Sequence, residues 1–255
     1  MMKRFLSNVK HKILTIIRVL FGVDIPYLKW HYAQEGEDCI LEEIFAGRKE
    51  GFYVDIGAHH PFGYSNTWKF YKKGWRGINI DATPGSMQLF KKFRPGDINL
   101  EIPVAGERKK MQFYMYREPA LNGFLDEKTL NENRRKGWEL LESLELEALP
   151  LGGILDQYMP EGTSITLMSI DIEGLELAVL KSNDWKKYRP EMLIVEMSGT
   201  DLEQVLSHPV TEFLVSLGYK PTVKTLRNVF FESLPETRDE VEPPAPDTHK
   251  NLHQD

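Results

Sequence analysis

The stretch Gly51-Phe52-Tyr53-Val54-Asp55-Ile56-Gly57-Ala58 decides the fold. Its short apolar run ends at a glycine, which is typical of a buried strand followed by a tight turn. A carboxylate placed beside such a turn is costly to bury unless it has a partner. We therefore predict a central strand over residues 52–56, with a functional site at the turn that follows it.

Strands and helices alternate along the chain on either side of this stretch. Strands are predicted over 52–56, 77–81, 98–104, 111–116, 165–172 and 192–197, helices over 64–73, 84–93, 126–149, 175–182 and 201–217, and a closing hairpin over 219–223 and 228–231. Repeated β–α units predict an α/β fold whose mostly parallel sheet carries helices on both faces. A closing antiparallel hairpin resembles the sheet of methyltransferases more than that of dehydrogenases.

The two ends of the chain differ from its middle. Residues 1–32 have a net charge of +5, and their apolar run over 13–21 is shorter than the roughly 20 residues of a spanning helix. Two interpretations stay open: a helix that packs on the domain or a second subunit, and a basic amphipathic helix on an anionic membrane. Residues 233–255 are rich in proline and acids, which predicts a disordered tail. The folded domain is therefore predicted over 33–232.

Composition excludes several classes of function. The chain has 255 residues and a formal charge of −6, whereas a general nucleic-acid binder needs a basic face to neutralise phosphates. Its single cysteine, Cys39, excludes an internal disulfide and a CxxC zinc site. These features predict a cytoplasmic protein, either free or peripheral at the inner face of the membrane.

Acidic residues stand at the end of every predicted parallel strand. They are Asp55, Asp81, Glu101, Asp171 and Glu196. In an open parallel sheet, ligands bind outside the carboxyl ends of the strands. Carboxylates gathered there are more than a purely structural sheet requires, so they indicate a functional site.

The spacing of two of these residues indicates a nucleoside ligand. Asp81 follows Gly57 by 24 residues, and a carboxylate in that position can accept hydrogen bonds from both hydroxyls of a ribose. A dinucleotide site would also need Gly-x-Gly-x-x-Gly, but His59 and Phe62 occupy the second and third glycine positions. A nucleoside without phosphates fits better, and the sulfonium cation of S-adenosylmethionine tolerates a ring of acids.

Ordered blocks between residues 32 and 200 resemble FkbM-type methyltransferases. The blocks are QEGED (34–38), GFYVDIGAHHP (51–61), SNT (65–67), GWRGINIDA (74–82), RPGDINLE (94–101), SIDIEG (169–174), LKSNDW (180–185) and IVE (194–196). The resemblance implies a Rossmann-like class I sheet and an S-adenosylmethionine-dependent O-methyltransferase, acting on sugar hydroxyls of surface polysaccharides or natural products. Pro103 and the pair Gly123-Phe124 depart from the family pattern. The second departure leaves the acceptor open.

Cofactor binding is assigned to residues of the first three strand ends and of the 34–38 block. They are Gln34, Glu37, Asp38, Asp55, Gly57, Ala58, Asp81, Ala82 and Glu101. Gln34, Glu37 and Asp38 would fold over the cofactor and bind its amino group. The residues around Gly57 would line the methionine end, Asp81 the ribose and Glu101 the adenine. Structural alternatives stay open, such as first-turn helix acids at 37–38.

Three residues are candidates for catalysis. Methyl transfer is an in-line displacement that needs a base to remove the acceptor proton. Asp171 is the first candidate and His59 the second, because an imidazole titrates near neutrality. Glu173 completes the set, provided that the strand ends at Asp171. Asp171 and Glu173 with one further carboxylate could also hold Mg²⁺, which prefers oxygen ligands.

Two alternatives from other classes remain. One is a nucleotide-sugar oxidoreductase with a nicotinamide cofactor, which the missing glycines disfavour. The other is a non-catalytic, membrane-associated assembly protein whose working part is the N-terminal segment. For the methyltransferase, the predicted partner is a small-molecule or glycan acceptor and not a nucleic acid. Weak membrane contact through residues 1–23 and a homo-oligomer stay open.

Overall fold

The computed structural model describes Ile17 and residues 29–235. The strands are β1 Phe52–Ile56, β2 Arg76–Asp81, β3 Ile98–Glu101, β4 Val104–Ala105, β5 Lys109–Tyr116, β6 Leu140–Pro150, β7 Leu167–Ile170, β8 Met192–Glu196, β9 Tyr219–Lys224 and β10 Asn228–Ser233. The helices are α1 Glu37–Ile44, α2 Trp68–Lys72, α3 Met87–Phe93, α4 Glu127–Arg135, α5 Leu151–Tyr158, α6 Glu176–Lys181, α7 Leu202–Leu206 and α8 Pro209–Ser216, with a 3-10 turn at Pro119–Leu121.

The central sheet has seven strands in the order β3-β2-β1-β7-β8-β10-β9. The first five are parallel, and β10 and β9 join antiparallel at one edge. Val54 of β1 pairs with Ile78 on one side and with Met168 on the other, so β1 lies in the middle of the sheet. The predicted parallel sheet and its closing hairpin are confirmed.

The strand β1 is buried because helices cover both faces of the sheet. Val54 and Ile56 belong to the larger hydrophobic core, to which α5, α6 and α8 contribute. Tyr53 points to the other face and packs in a cluster with side chains of α1 and α2. Alternate side chains of a strand face opposite sides of the sheet. Because both sides are covered, apolar residues occur among both sets of side chains in this stretch.

A second, three-stranded sheet in the order β4-β6-β5 covers one side of the strand ends. The predicted helix over 126–149 is wrong beyond Arg135, because residues 140–150 form β6, which pairs antiparallel with β5. Leucine and glutamate alternate over 144–147, and that period of two belongs to a strand with one sheltered face. The predicted strand 98–104 is likewise two strands, since β3 ends at Glu101 and β4 joins the second sheet.

Helix ends differ from the predictions where proline intervenes. The helix predicted over 201–217 is two helices, and α8 begins at Pro209, where a missing N–H costs nothing at a first turn. The helix predicted from Pro84 begins at Met87. No helix of the described residues is long and apolar enough to cross a membrane. The predictions for the basic N-terminal segment and the acidic tail fall almost entirely outside the described residues.

Candidate active site

A cavity of about 450 Å³ lies at the carboxyl ends of the parallel strands. Its floor is formed by residues that follow β1, β2, β7 and β8, and its roof by the second sheet and the 3-10 turn. The turn between β9 and β10 and the segment before α1 close one side. The site therefore lies where an open parallel sheet is expected to bind a ligand.

Three carboxylates meet on the floor of this cavity. One oxygen of each of Asp171, Glu173 and Glu196 lies within 4.8 Å of the others. Protein surrounds Asp171 on most sides, although solvent reaches it through the cavity mouth. This loss of water raises the pKa of Asp171 well above its usual range, and Glu196 raises it further. Loss of water and the neighbouring carboxylates of Glu196 and Glu176 raise the pKa of Glu173 to about 7.

The turn after β7 places these acids by a local hydrogen-bonding arrangement. The Glu176 carboxylate accepts from the backbone N–H of Gly174 at 3.0 Å and of Ile172 at 3.3 Å. Glu173 between them has a φ of 56°, a left-handed conformation that costs a non-glycine residue about 1 kcal/mol or more. The strand thus ends before Asp171, and both Asp171 and Glu173 reach the cavity.

Asp81 lies at the end of β2 and joins two loops of the cavity wall. Its Oδ2 accepts from the backbone N–H of His59 at 2.9 Å, and its Oδ1 accepts from the backbone N–H of Thr83 at 2.8 Å. A carboxylate oxygen accepts more than one hydrogen bond, so both oxygens retain acceptor capacity. At the neighbouring turn, a Cβ on Gly57 would lie 1.7 Å from the carbonyl oxygen of Asp171. Glycine is therefore required there by close packing as well as by its φ of 79°.

The loop over residues 59–67 is held from below by Arg94, which is completely buried. Its guanidinium donates to the carbonyl of Pro61, to the hydroxyls of Ser65 and Thr67 and to the side chain of Asn79, at 2.6 to 2.9 Å. The loop contains two further non-glycine residues with positive φ, His59 and Tyr64, whose rings stack at 6.1 Å. All three described non-glycine residues with positive φ line the cavity, and such strained positions cluster at functional sites.

The remaining walls differ in character. Glu37 accepts from the amide of Asn228 at 2.8 Å, and this contact joins the segment before α1 to the β9–β10 turn. Opposite it, the second sheet and its loops contribute Phe113, Phe124 and Trp138, and the Phe113 and Phe124 rings lie 5.1 Å apart. The cavity thus has an acidic side and an aromatic side.

Comparison with known proteins agrees with this arrangement. Residues 55–221 match the family model of the methyltransferase FkbM domain, which is more than half of the 255 residues. The chain belongs to the FkbM methyltransferase family. It is therefore an S-adenosylmethionine-dependent methyltransferase, and the nicotinamide alternative is wrong. No curated protein matches the chain.

Solved structures share only a distant likeness with this FkbM-family chain. The METTL16 methyltransferase domain is 15% identical, with a TM-score of 0.45 over 86% of this chain and 76% of that one. The N-terminal domain of human METTL16 is 14% identical, with a TM-score of 0.43 over 86% and 78%. A TehB-like S-adenosylmethionine-dependent methyltransferase from Corynebacterium glutamicum is 10% identical, with a TM-score of 0.37 over 89% and 99%.

The structure brings most of the predicted site residues of this FkbM protein into the cavity wall. These are Gln34, Glu37, Gly57, His59, Asp81, Ala82, Asp171 and Glu173. Gly123 and Phe124, which depart from the family pattern, also line it.

Four predicted cofactor residues lie outside the cavity wall. Asp55 is buried beneath the 59–67 loop and accepts from the Thr67 hydroxyl at 2.6 Å. Asp38, a residue of α1, accepts from the backbone N–H of Tyr32 at 2.9 Å. Ala58 packs against α3, and the exposed Glu101 accepts from the backbone N–H of Gly85 at 2.9 Å. Asp55, Asp38 and Ala58 therefore pack beneath the residues that form the cavity wall.

Sequence reasoning missed several wall residues. Glu196 was predicted as an acid at a strand end but was assigned no role in binding or catalysis. Its position at the end of a parallel strand was the signal that could have identified it. Asn66 and Thr83 were assigned no role either, although Asn66 stands in the SNT block and Thr83 directly follows Ala82. Arg227 and Asn228 had no such signal, because the turn between β9 and β10 brings them to the cavity.

Proposed function

We propose that this methyltransferase transfers the methyl group to a hydroxyl oxygen of a sugar or glycan. The observation that carries the proposal is the cluster of Asp171, Glu173 and Glu196 within 4.8 Å, in the same cavity as Asp81. Such a cluster can hold a cation and supply a base in one place.

The acidic side chains of the cavity fit S-adenosylmethionine, which carries its reactive methyl group on a positively charged sulfur. The Glu196 carboxylate raises the pKa of both Asp171 and Glu173, and a cation beside the cluster relieves this repulsion between like charges. Asp81 retains acceptor capacity for the ribose hydroxyls. Gln34 lines the cavity and is available to the amino group, whereas Glu37 is completely buried and accepts from the Glu35 N–H and the Asn228 amide.

Asp171 is the proposed base for the acceptor proton. Its raised pKa makes the carboxylate a stronger proton acceptor than an exposed aspartate, which is the tuning that general bases show. His59 is the second candidate, since its side chain also belongs to the cavity wall. The negative charges of Glu173 and Glu196 would help to balance the positive charge of the methyl donor beside Asp171.

The aromatic side of the cavity favours a sugar acceptor. Trp138, Phe113 and Phe124 offer flat apolar surfaces, and Asn122 and Glu118 lie beside them as polar groups. A sugar ring presents an apolar face edged by hydroxyls, so this mixture suits it. The proposed location is the cytoplasm, either free or peripheral at the inner face of the membrane.

Titration calorimetry with S-adenosylmethionine and with NAD tests the first step. We expect binding of the former alone. The protein is then incubated with isotopically labelled S-adenosylmethionine and separate pools of neutral sugars, glycolipids and proteins, and label is sought in each. Label confined to protein, or carried on nitrogen, would overturn the sugar assignment.

The carboxylate cluster also has the oxygen donors that Mg²⁺ prefers. No step of the proposed reaction uses a metal. Loss of turnover in a chelator, and its return with Mg²⁺, would assign a cation to Asp171, Glu173 and Glu196 in place of the base.

A further inference from the structure

A basic and apolar surface lies beside the cavity mouth. Residues 59–96 contain seven Lys and Arg residues and one acid, Asp81, in a chain whose formal charge is −6. Of the seven, Arg94 is buried, and Lys69 and Lys73 pair with Glu42. Within the described residues, the other four have no carboxylate within 4.0 Å: Lys72, Arg76, Lys91 and Lys92.

Exposed apolar side chains stand among these cations. Leu89 and Phe93 lie one turn apart on α3 and are 44% and 39% exposed, and Phe62 is 37% exposed. The Phe62 and Phe93 rings lie 5.3 Å apart, and the Lys92 ammonium lies 5.4 Å from the Phe93 ring centroid. We call Phe62, Leu89, Lys91, Lys92 and Phe93 the α3 face.

The α3 face adjoins the loop that carries His59 and Tyr64 of the cavity wall. Phe62 packs edge-on against His60 at 4.4 Å. His60 is next to His59, and Tyr64, two residues after Phe62, is an exposed residue of the cavity wall. A surface that engages the α3 face would therefore lie beside the entrance through which an acceptor arrives.

We propose that the α3 face docks on an anionic lipid membrane. The exposed phenylalanine and leucine side chains can enter the apolar boundary of a bilayer. Ammonium groups of one sign beside them complement anionic lipid headgroups. Docking there would present the cavity to an acceptor carried on a lipid. This surface is separate from the N-terminal segment, and its test does not require an identified acceptor.

The test measures partition of the full chain onto vesicles of phosphatidylglycerol and phosphatidylcholine at low salt. Two double variants remove the charge or the apolar groups: Lys91→Gln with Lys92→Gln, and Leu89→Ser with Phe93→Ser. Because each basic residue near an anionic surface contributes about 1 kcal/mol, we expect the charge variant to lower the partition coefficient about tenfold or more. The apolar variant is expected to lower it by a similar factor.

Matched controls come from other exposed helices. Lys128→Gln with Lys136→Gln repeats the charge change at α4, and Leu202→Ser with Leu206→Ser repeats the apolar change at α7, where both leucines are exposed. The controls should partition like the wild type, and no protein should gain on pure phosphatidylcholine. Thermal unfolding shows that each variant is folded, and S-adenosylmethionine affinity reports separately on the proposed function. Folded α3-face variants that partition like their controls would overturn the proposal.

Discussion

Arg94 donates a hydrogen bond from its Nε to the carbonyl oxygen of Pro61 at 2.7 Å, in the middle of the loop that carries His59 and Tyr64. Asp97 lies 4.0 Å from the same guanidinium, and Arg94 opposes the rise in pKa that burial causes at Asp55. One buried cation thus supports a cavity loop and balances buried acids, so the loop and the core beneath it are energetically linked.

Replacing Arg94 should destabilise the whole domain. In Arg94→Met, the hydroxyls and the Pro61 carbonyl lose their donor and the acids lose their counter-charge. Breaking a buried charged network by removing one partner costs about 3 to 5 kcal/mol, which lowers the Tm of a domain of this size by roughly 6 to 20 °C. Arg94→Lys retains the charge with fewer donors and should fall between. Arg108→Met, at an exposed ion pair with Glu147, is the control and should shift Tm by little.

Asp81→Ala should weaken S-adenosylmethionine binding at least tenfold. Two charge-assisted hydrogen bonds to the ribose are lost, each contributing about 1.5 to 3 kcal/mol. The backbone amides of His59 and Thr83 also lose their acceptor, so thermal unfolding is measured beside calorimetry. Glu101→Gln removes an acid that lies outside the cavity wall and should leave the affinity unchanged. A folded Asp81→Ala protein with wild-type affinity would contradict the ribose assignment.

Asp171→Asn should slow the transfer step far more than it weakens cofactor binding, because the carboxylates of Glu173 and Glu196 remain beside the sulfonium. The amide keeps the shape but cannot take the acceptor proton, and a general base typically contributes about 10²- to 10⁴-fold. The measurement is turnover at saturating cofactor, with His59→Gln for comparison. A loss below about threefold in Asp171→Asn, with a large loss in His59→Gln, would give the role to the histidine.

Glu173 should make the stability of the ligand-free protein depend on pH. Loss of water, together with Glu196 and Glu176, raises the pKa of Glu173 to about 7, while Arg227 opposes the rise. The Asp171 carboxyl, whose pKa is also raised, belongs to the same cluster. In the unfolded chain the glutamate pKa is about 4.3, so between these values the folded state holds the extra proton. Stability therefore falls as pH rises through this window.

Glu173→Gln removes this proton and should flatten part of the slope of Tm between about pH 4 and 7. Glu161→Gln, in an exposed turn, should keep the wild-type slope. Because a cation favours the ionised carboxylates, S-adenosylmethionine affinity should rise with pH in the wild type, and binding should release protons. Equal slopes in all three proteins would show that Glu173 is ionised throughout.

The central sheet was predictable because local and global signals agree along β1. Its apolar run, the glycine at its end and the acid of the next strand all follow from strand geometry, and the structure places Gly57 and Asp81 at one cavity. The strand over residues 140–150 was predicted as a helix because leucine and glutamate are strong helix formers. Their alternation with a period of two favours a strand instead. Pairing with β5 decides its structure, and such tertiary context overrides propensity.

The site was harder to predict than the fold for a related reason. Asp55 and Asp81 both follow apolar strand residues, and nothing local distinguishes the acid that supports the loop from the one that faces the cavity. The difference comes from Thr67, which lies 12 residues along the chain, and from Arg94, which lies further still; both reach Asp55 only in the folded state. Likewise, Asn228 reaches Glu37 across 191 residues of chain.

The last prediction concerns residues 1–23, which lie outside the described residues apart from Ile17. This segment has five Lys and Arg residues, no acid and an apolar run, and basic residues near an anionic surface contribute about 1 kcal/mol each. Deleting it should leave S-adenosylmethionine affinity unchanged, since among the described residues the cavity wall begins at Gln34. If the segment binds membrane, the truncated protein keeps its Tm and binds anionic vesicles less well. If it packs on the domain or on a second subunit, Tm falls by several degrees or the oligomeric state changes. A truncated protein that matches the full chain in vesicle binding, Tm and oligomeric state would contradict both accounts, and reduced cofactor affinity at unchanged Tm would place the segment at the active site.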